Sequence, residues 1–264
     1  MFSRFPKGGF FLLARYAICK SVKPYNNGFM KKFWIVFCLF LILPAIAYQV
    51  YFPEKYSYKE NGDKLLFVVD FSNSMGEYLE HKTKVNLVKD MLKRVLPQIS
   101  SDTKVGLRVY GHTCNLLAFN ACKSSELLVP LGTNNFQQIN SAIAKLRPRG
   151  MTPITYSLKQ GVNKDLKGQE GTKHIILLTD GGENCDESPC DYAIELIKQR
   201  RDIKIDVIAF NVHDSNDLDQ LKCVADVTSA KFIQADTNAE LVRSMEELIL
   251  PHKQVEALLY GIDK

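Results

Sequence analysis

The chain has 264 residues, 46% hydrophobic and 24% charged, a balance that excludes an intrinsically disordered protein or one embedded throughout in a membrane and allows one or two domains. Its formal charge of +5 comes from 34 basic against 29 acidic side chains, but residues 1–47 hold seven of the basic groups (Arg4, Lys7, Arg15, Lys20, Lys23, Lys31 and Lys32) and no Asp or Glu. The remainder carries 27 basic against 29 acidic groups, so the basic surplus lies outside the part that folds, and a nucleic-acid-binding domain is set aside.

Phe33 to Ala47 reads FWIVFCLFLILPAIA, without a charge, directly after Met30-Lys31-Lys32. A basic flank, a short apolar stretch and the small-x-small triplet Ala45-Ile46-Ala47 are the parts of a secretory signal, and Pro44 breaks the helix just before the cleavage point. The competing reading is an uncleaved anchor running on to about Phe52 with its basic flank held inside. Residues 1–29 are then either a wrongly assigned start or a genuine basic extension. Residues 30–47 are the signal peptide or anchor, 48–61 a polar, Tyr-rich linker, 62–250 the folded domain and 251–264 a tail. Both readings place the domain outside the cytoplasm, in a bacterial periplasm or cell envelope.

Within the domain, apolar runs and helical patterns alternate. Leu65–Val69 predicts a strand buried on both faces, and Val85, Val88, Leu92, Val95 and Leu96 share one helix face before Pro97. Lys104–Tyr110 and Leu127–Pro130 predict two strands in a hairpin. Helices are expected over Phe136–Leu146 and Ile154–Val162, and His174–Thr179 (HIILLT) predicts a central strand. A helix over Tyr192–Gln199, a strand over Ile205–Phe210, a helix over Leu218–Val227, a strand over Lys231–Gln234 and a helix over Ala239–Leu248 complete the order. Such alternation specifies an α/β fold: a single doubly wound, Rossmann-like domain with a mostly parallel central sheet and helices on both faces.

Five cysteines follow the signal. Cys114 and Cys122 flank a loop between two predicted strands, and Cys185 to Cys190 bracket a short Pro-containing loop. Two local disulfides are expected, Cys114 with Cys122 and Cys185 with Cys190, each stabilising by about 2 kcal/mol because short loops forfeit little chain entropy. Neither pair has the Cys-x2-Cys spacing of a zinc site, and Cys223 in its apolar run reads as a buried free thiol.

In doubly wound sheets ligands sit beyond the carboxyl ends of the strands, so the loops leaving the apolar runs are where chemistry is expected. Asp70-Phe-Ser72-Asn-Ser74 follows the first strand, Gly150-Met-Thr152-Pro lies between helices, and Asp180-Gly-Gly follows HIILLT. Hydroxyls plus carboxylates, without thiol or imidazole, make a hard-oxygen set suited to Mg²⁺ or Mn²⁺. Each residue alone has a plainer role: turn formation for Asp70 and Asp180, helix capping for Ser72 and Thr152.

With these three loops the sequence resembles the von Willebrand factor type A domain family over roughly residues 62–250, and the loops match that family's metal-ion-dependent adhesion site. Val109-Tyr-Gly-His112 and Ala209-Phe-Asn-Val212 make it similar to bacterial exported members. The resemblance implies that Ser72 and Ser74 bind a divalent cation directly, that Thr152 binds it in the ligand-engaged state, and that Asp70 and Asp180 act largely through water. It implies a non-enzymatic domain that binds a protein partner, whose acidic side chain completes the metal shell. A structural domain with a vestigial metal site and a metal-dependent hydrolase are the alternatives, the latter lacking any recognisable nucleophile or general base. The Asp70 loop fails as an EF-hand, with Met75 and His81 where Gly and Glu are needed, and Gly168-Gln-Glu-Gly171 lacks the Gly-Lys of a phosphate loop. The five histidines lack metalloprotease spacing; His112 reads as structural or rim. Asp186, Glu187 and Asp191 read as solvated surface, and the roles of Glu183 and Asn184 stay open.

Overall fold

The computed structural model describes residues 63–113 and 118–249. The signal or anchor segment, the linker, the tail and Cys114 lie outside the described residues. Eight strands and six α-helices are found there: β1 (Lys64–Asp70), β2 (Tyr78–Leu79), β3 (Lys82–Thr83), α1 (Lys84–Val95), β4 (Lys104–Tyr110), β5 (Ser125–Gly132), α2 (Phe136–Ala144), α3 (Ile154–Gln160), β6 (Lys173–Thr179), α4 (Pro189–Gln199), β7 (Ile203–Phe210), α5 (Ser215–Val227), β8 (Phe232–Ala235) and α6 (Asn238–Ile249). Six strands form one sheet in the order β5-β4-β1-β6-β7-β8, parallel except for β5, which pairs antiparallel with β4. The α/β, mostly parallel architecture read from the sequence is therefore present.

The continuous apolar runs are explained by burial on both sheet faces. In β1, Leu65, Phe67 and Val69 point into one core with Val88, Leu92 and Val95 of α1, Ile139 and Ile143 of α2, and Leu241 and Met245 of α6. Leu66 and Val68 point into the other, with Ile154 and Leu158 of α3, Ala193 and Leu196 of α4, and Leu221 and Val224 of α5. Full burial of each such Leu, Ile, Val or Phe side chain stabilises by roughly 1.5–3 kcal/mol. α4 begins three residues earlier than its apolar pattern indicates, because Ser188 caps it by accepting from the Asp191 N–H and Pro189 fits the first helical turn.

The chain leaves β1 toward β4 on one side and returns to β6 on the other, so the carboxyl end of β1 is a topological switch point where the loops part and leave a crevice. The small β2–β3 hairpin, unannounced in the sequence, turns through Glu80 at φ 57° just before α1.

The cysteine pairing differs from the local one expected. The bridges are Cys122–Cys185 and Cys190–Cys223, with sequence separations of 63 and 33 and Cα–Cα distances of 5.4 Å each. Cys190 sits on the first turn of α4 and meets Cys223 of α5 instead of turning back to Cys185, and Cys223 is therefore not a free thiol. Cys185, in the loop after β6, reaches the connection between β4 and β5. Disulfides of this kind form in oxidising compartments, which points to an exported protein. Among the described residues no helix is long and apolar enough to cross a membrane.

Candidate metal centre

Asp70 ends β1 and is fully buried. Its Oδ1 accepts from the Ser72 N–H at 2.6 Å, folding the next residues into a tight turn. Ser72 precedes the 3₁₀ turn Asn73–Gly76 but makes no side-chain cap bond; its hydroxyl lies 3.1 Å from that of Ser74. Ser74 Oγ in turn donates to Asp180 Oδ1 at 2.7 Å, joining the loop after β1 to the loop after β6.

Thr152 reaches the same place by backbone contact. Ser72 and Gly150 form a parallel bridge, and the Asn73 N–H donates to the Gly150 carbonyl at 3.1 Å. Two glycines make this convergence possible. A Cβ on Gly111, which sits at φ +70°, would come within 2.6 Å of the Ser72 nitrogen, and one on Gly150 within 2.8 Å of the Thr113 carbonyl. Thr152 does not cap α3 with its side chain; Glu183 Oε2 does so from across the site, accepting from the Thr155 N–H at 2.7 Å. Asn184 Oδ1 accepts from the Thr152 N–H at 2.7 Å. All five residues singled out in the sequence, Asp70, Ser72, Ser74, Thr152 and Asp180, thus lie on three loops that are bonded to one another at one end of the sheet.

Several residues that shape the centre escaped the sequence. Lys84, first residue of α1 and only 7% exposed in its side chain, donates to Asp180 Oδ2 and to Glu77 Oε2, both at 3.0 Å. A lysine at a helix start opposes the helix dipole, and that anomaly is the only signal for it in the sequence. Burial pulls its ammonium down, but the Asp180 and Glu77 carboxylates outweigh this and hold it above its ordinary value. Thr179 Oγ1 lies 2.7 Å from Asp70 Oδ2 and 2.8 Å from the Gly181 carbonyl. Tyr110 pairs in register with Asp70 on the adjacent strand; its buried hydroxyl has no hydrogen-bond partner among the described residues. Two of the residues left aside earlier have polar partners away from the five: His112 Nε2 is 3.1 Å from Glu126 Oε2, and Glu187 pairs with Lys159 at 2.7 Å.

Two buried carboxylates facing one another set the electrostatics. Burial first, then the neighbouring Asp180 charge, push Asp70 up to about 7 against the lowering hydrogen bonds from Ser72 and Thr179. Burial also raises Asp180, opposed by Ser74 and Lys84. A single Thr179 hydroxyl proton cannot serve both Asp70 and Gly181, whereas a proton retained on Asp70 satisfies both contacts. A divalent cation beside these groups would supply the missing counter-charge, and the donors are hard oxygens, so the set fits Mg²⁺ or Mn²⁺. Among the described residues no group of three or more His, Cys, Asp or Glu side chains that could hold a metal ion is found.

The model of the von Willebrand factor type A domain matches residues 64–247. The chain belongs to this family. YwmD of Bacillus subtilis is 26% identical to it over 211 residues, covering 78% of this chain and 93% of that protein. Two solved structures share the type A fold: proximal thread matrix protein 1 of the mussel byssus with a zinc-occupied MIDAS motif (TM-score 0.55, 21% identity, 72% of this chain and 45% of that one) and the pilus adhesin SpaC of Lactobacillus rhamnosus GG (TM-score 0.57, 15% identity, 73% of this chain and 30% of that one). The type A domain described here thus spans less than half of either of those chains.

Proposed function

We propose that this chain is a non-enzymatic, extracytoplasmic binding protein whose type A domain, residues 62–250, holds one Mg²⁺ or Mn²⁺ with Asp70, Ser72, Ser74, Thr152 and Asp180. An acidic side chain of a protein partner completes the shell. The observation that carries this reading is the join between loops: the Ser74 hydroxyl donates to Asp180 at 2.7 Å while lying 3.1 Å from the Ser72 hydroxyl, and neither Ser72 nor Thr152 spends its hydroxyl on helix capping. When bound, the cation supplies a Lewis-acidic position for a carboxylate. Neutral hydroxyls as direct ligands leave its positive charge largely uncompensated, which favours an anionic ligand. The chain's own residues do the rest: Asp70 and Thr179 anchor the floor, Lys84 fixes Asp180, and Asn184 holds the Thr152 backbone. The zinc-occupied MIDAS of the mussel protein and the nature of SpaC as a pilus adhesin support a metal-bridged contact of this type. The disulfides and the apolar segment at 33–47 support placement in the periplasm or envelope, cleaved near Ala47 or anchored there.

The test is selection from a random peptide library on the Mg²⁺-loaded protein. Enriched sequences should carry Asp or Glu, and their binding should vanish with a chelator and with Asp70→Ala. Enrichment that is indifferent to chelator and lacks acidic residues contradicts the reading.

A further inference from the structure

Lys84 brings a buried positive charge to the centre, which holding Asp180 in place does not by itself require. Residues 75–83 return the chain on itself: the β2–β3 register pairs Tyr78 with Thr83, the Lys84 N–H donates to the Glu77 carbonyl at 2.9 Å, and the lysine side chain is carried inward to Asp180. Asp180 is consequently divided between two neighbours, Oδ1 facing the Ser74 hydroxyl and Oδ2 facing the Lys84 ammonium. The lysine's other partner, Glu77, is 68% exposed in its side chain and screened by water, so the buried charge of Lys84 falls mainly on the metal side.

We infer that Lys84 is a charge-setting residue of the centre: by neutralising Asp180 from behind, it weakens cation retention and leaves the loaded site more positive, which strengthens capture of a carboxylate. The inference rests on the metal-binding reading above. The charges decide its direction. Asp70 and Asp180 ionised give the pocket two negative charges, and Lys84 reduces this to one. A divalent cation then leaves the loaded site at one positive charge with Lys84 and at zero without it. Only the buried position allows one fixed charge to matter this much, since water would screen an exposed ammonium.

The experiment is calorimetric titration of Mn²⁺ into the metal-free full chain, for wild type, Lys84→Met and Lys84→Arg, all in one buffer at the same mildly alkaline pH. Lys84→Met should bind Mn²⁺ about tenfold more tightly than wild type, and Lys84→Arg, which keeps the charge, within about twofold of it. Succinate serves as the carboxylate probe. It should lower the water proton relaxation enhancement of the loaded wild type at about tenfold lower concentration than that of loaded Lys84→Met. Because Lys84→Met leaves Asp180 without its buried partner, Lys84→Gln, which keeps a donor without the charge, is measured alongside and carries the test if the first variant does not fold. Unchanged or weaker Mn²⁺ binding by the neutral variants, with wild type binding normally, overturns the inference and makes Lys84 a structural support. Absence of Mn²⁺ binding by wild type removes the metal reading itself, and this inference with it.

Discussion

Asp70 is the residue on which the centre's behaviour turns. Its folded-state value, up at about 7 from an ordinary carboxyl value of 3.8, means that the metal-free folded state holds a proton there that the unfolded chain has already released. Stability from this group is therefore fully present below the unfolded value and is lost as pH rises through about 7. A cation reverses the preference by favouring the ionised form. Loading at about pH 6 should release close to one proton, falling toward none at about pH 8.5, as measured by calorimetry in buffers of different ionisation enthalpy. Release that does not change with pH would show that Asp70 is already ionised. Thr152 stands at the other end of the site's chemistry. Thr152→Ala should reduce partner binding while leaving metal affinity within about twofold, whereas Asp70→Ala should abolish metal retention; the reverse order in titrations would displace the assignment. The convergence of these five oxygen-bearing residues could be anticipated from the sequence because Asp70, Ser72, Ser74 and Asp180 follow predicted strands and Thr152 sits in a Gly-x-Thr-Pro setting between helices. Lys84 and Tyr110 were not, since their importance comes from register and from a hairpin of four strand residues that no hydrophobic periodicity announces.

The element that links recognition to the rest of the domain is the loop between β6 and α4. Glu183 caps α3, Asn184 holds the Thr152 N–H, the Cys122–Cys185 bridge ties the loop to the connection after β4, and Asp217 of α5 accepts from the Gly182 N–H at 3.0 Å. Asn184→Ala removes one hydrogen bond worth about 1 kcal/mol to the folded domain, so the melting temperature should fall by roughly 2–4 °C, and partner binding should weaken because the Thr152 backbone is no longer held. The bridges matter more for stability than short local loops would. On the chain-entropy account, closing loops of 63 and 33 residues stabilises by about 4 kcal/mol each. Cys190→Ser with Cys223→Ser should show that loss in urea denaturation without displacing the metal ligands; an unchanged midpoint would mean that the bridge does not form. Apart from the β2–β3 hairpin, the strands and helices could be read from apolar periodicity to within a few residues of their ends. The cysteine partners could not, because nearness along the chain says nothing about Cys190 on α4 facing Cys223 on α5, a contact that exists only once both helices pack on the sheet.

On the scale of the whole molecule, the centre joins the carboxyl ends of β1 and β6, two central neighbours of the sheet, so a cation held there would be linked to the fold. In the folded domain Ser74 and Asp180, more than a hundred residues apart in the sequence, meet at this centre, and the unfolded chain offers no comparable set. Binding to the folded state alone stabilises by about 2.7 kcal/mol at a hundred times the dissociation constant. For a domain of this size that is a rise of roughly 5–10 °C in melting temperature. The oxidised protein should show a saturable rise on addition of Mg²⁺ and again of Mn²⁺, and Asp70→Ala should stay flat. The rise should also be larger at about pH 8 than at about pH 6, because the metal-free domain loses the protonated Asp70 contribution over that interval while the loaded domain does not. A rise of equal size in wild type and Asp70→Ala would place the cation elsewhere on the molecule. No rise in either would mean that the three loops converge for packing alone, with the Ser74–Asp180 contact serving as an ordinary tie between two strand ends.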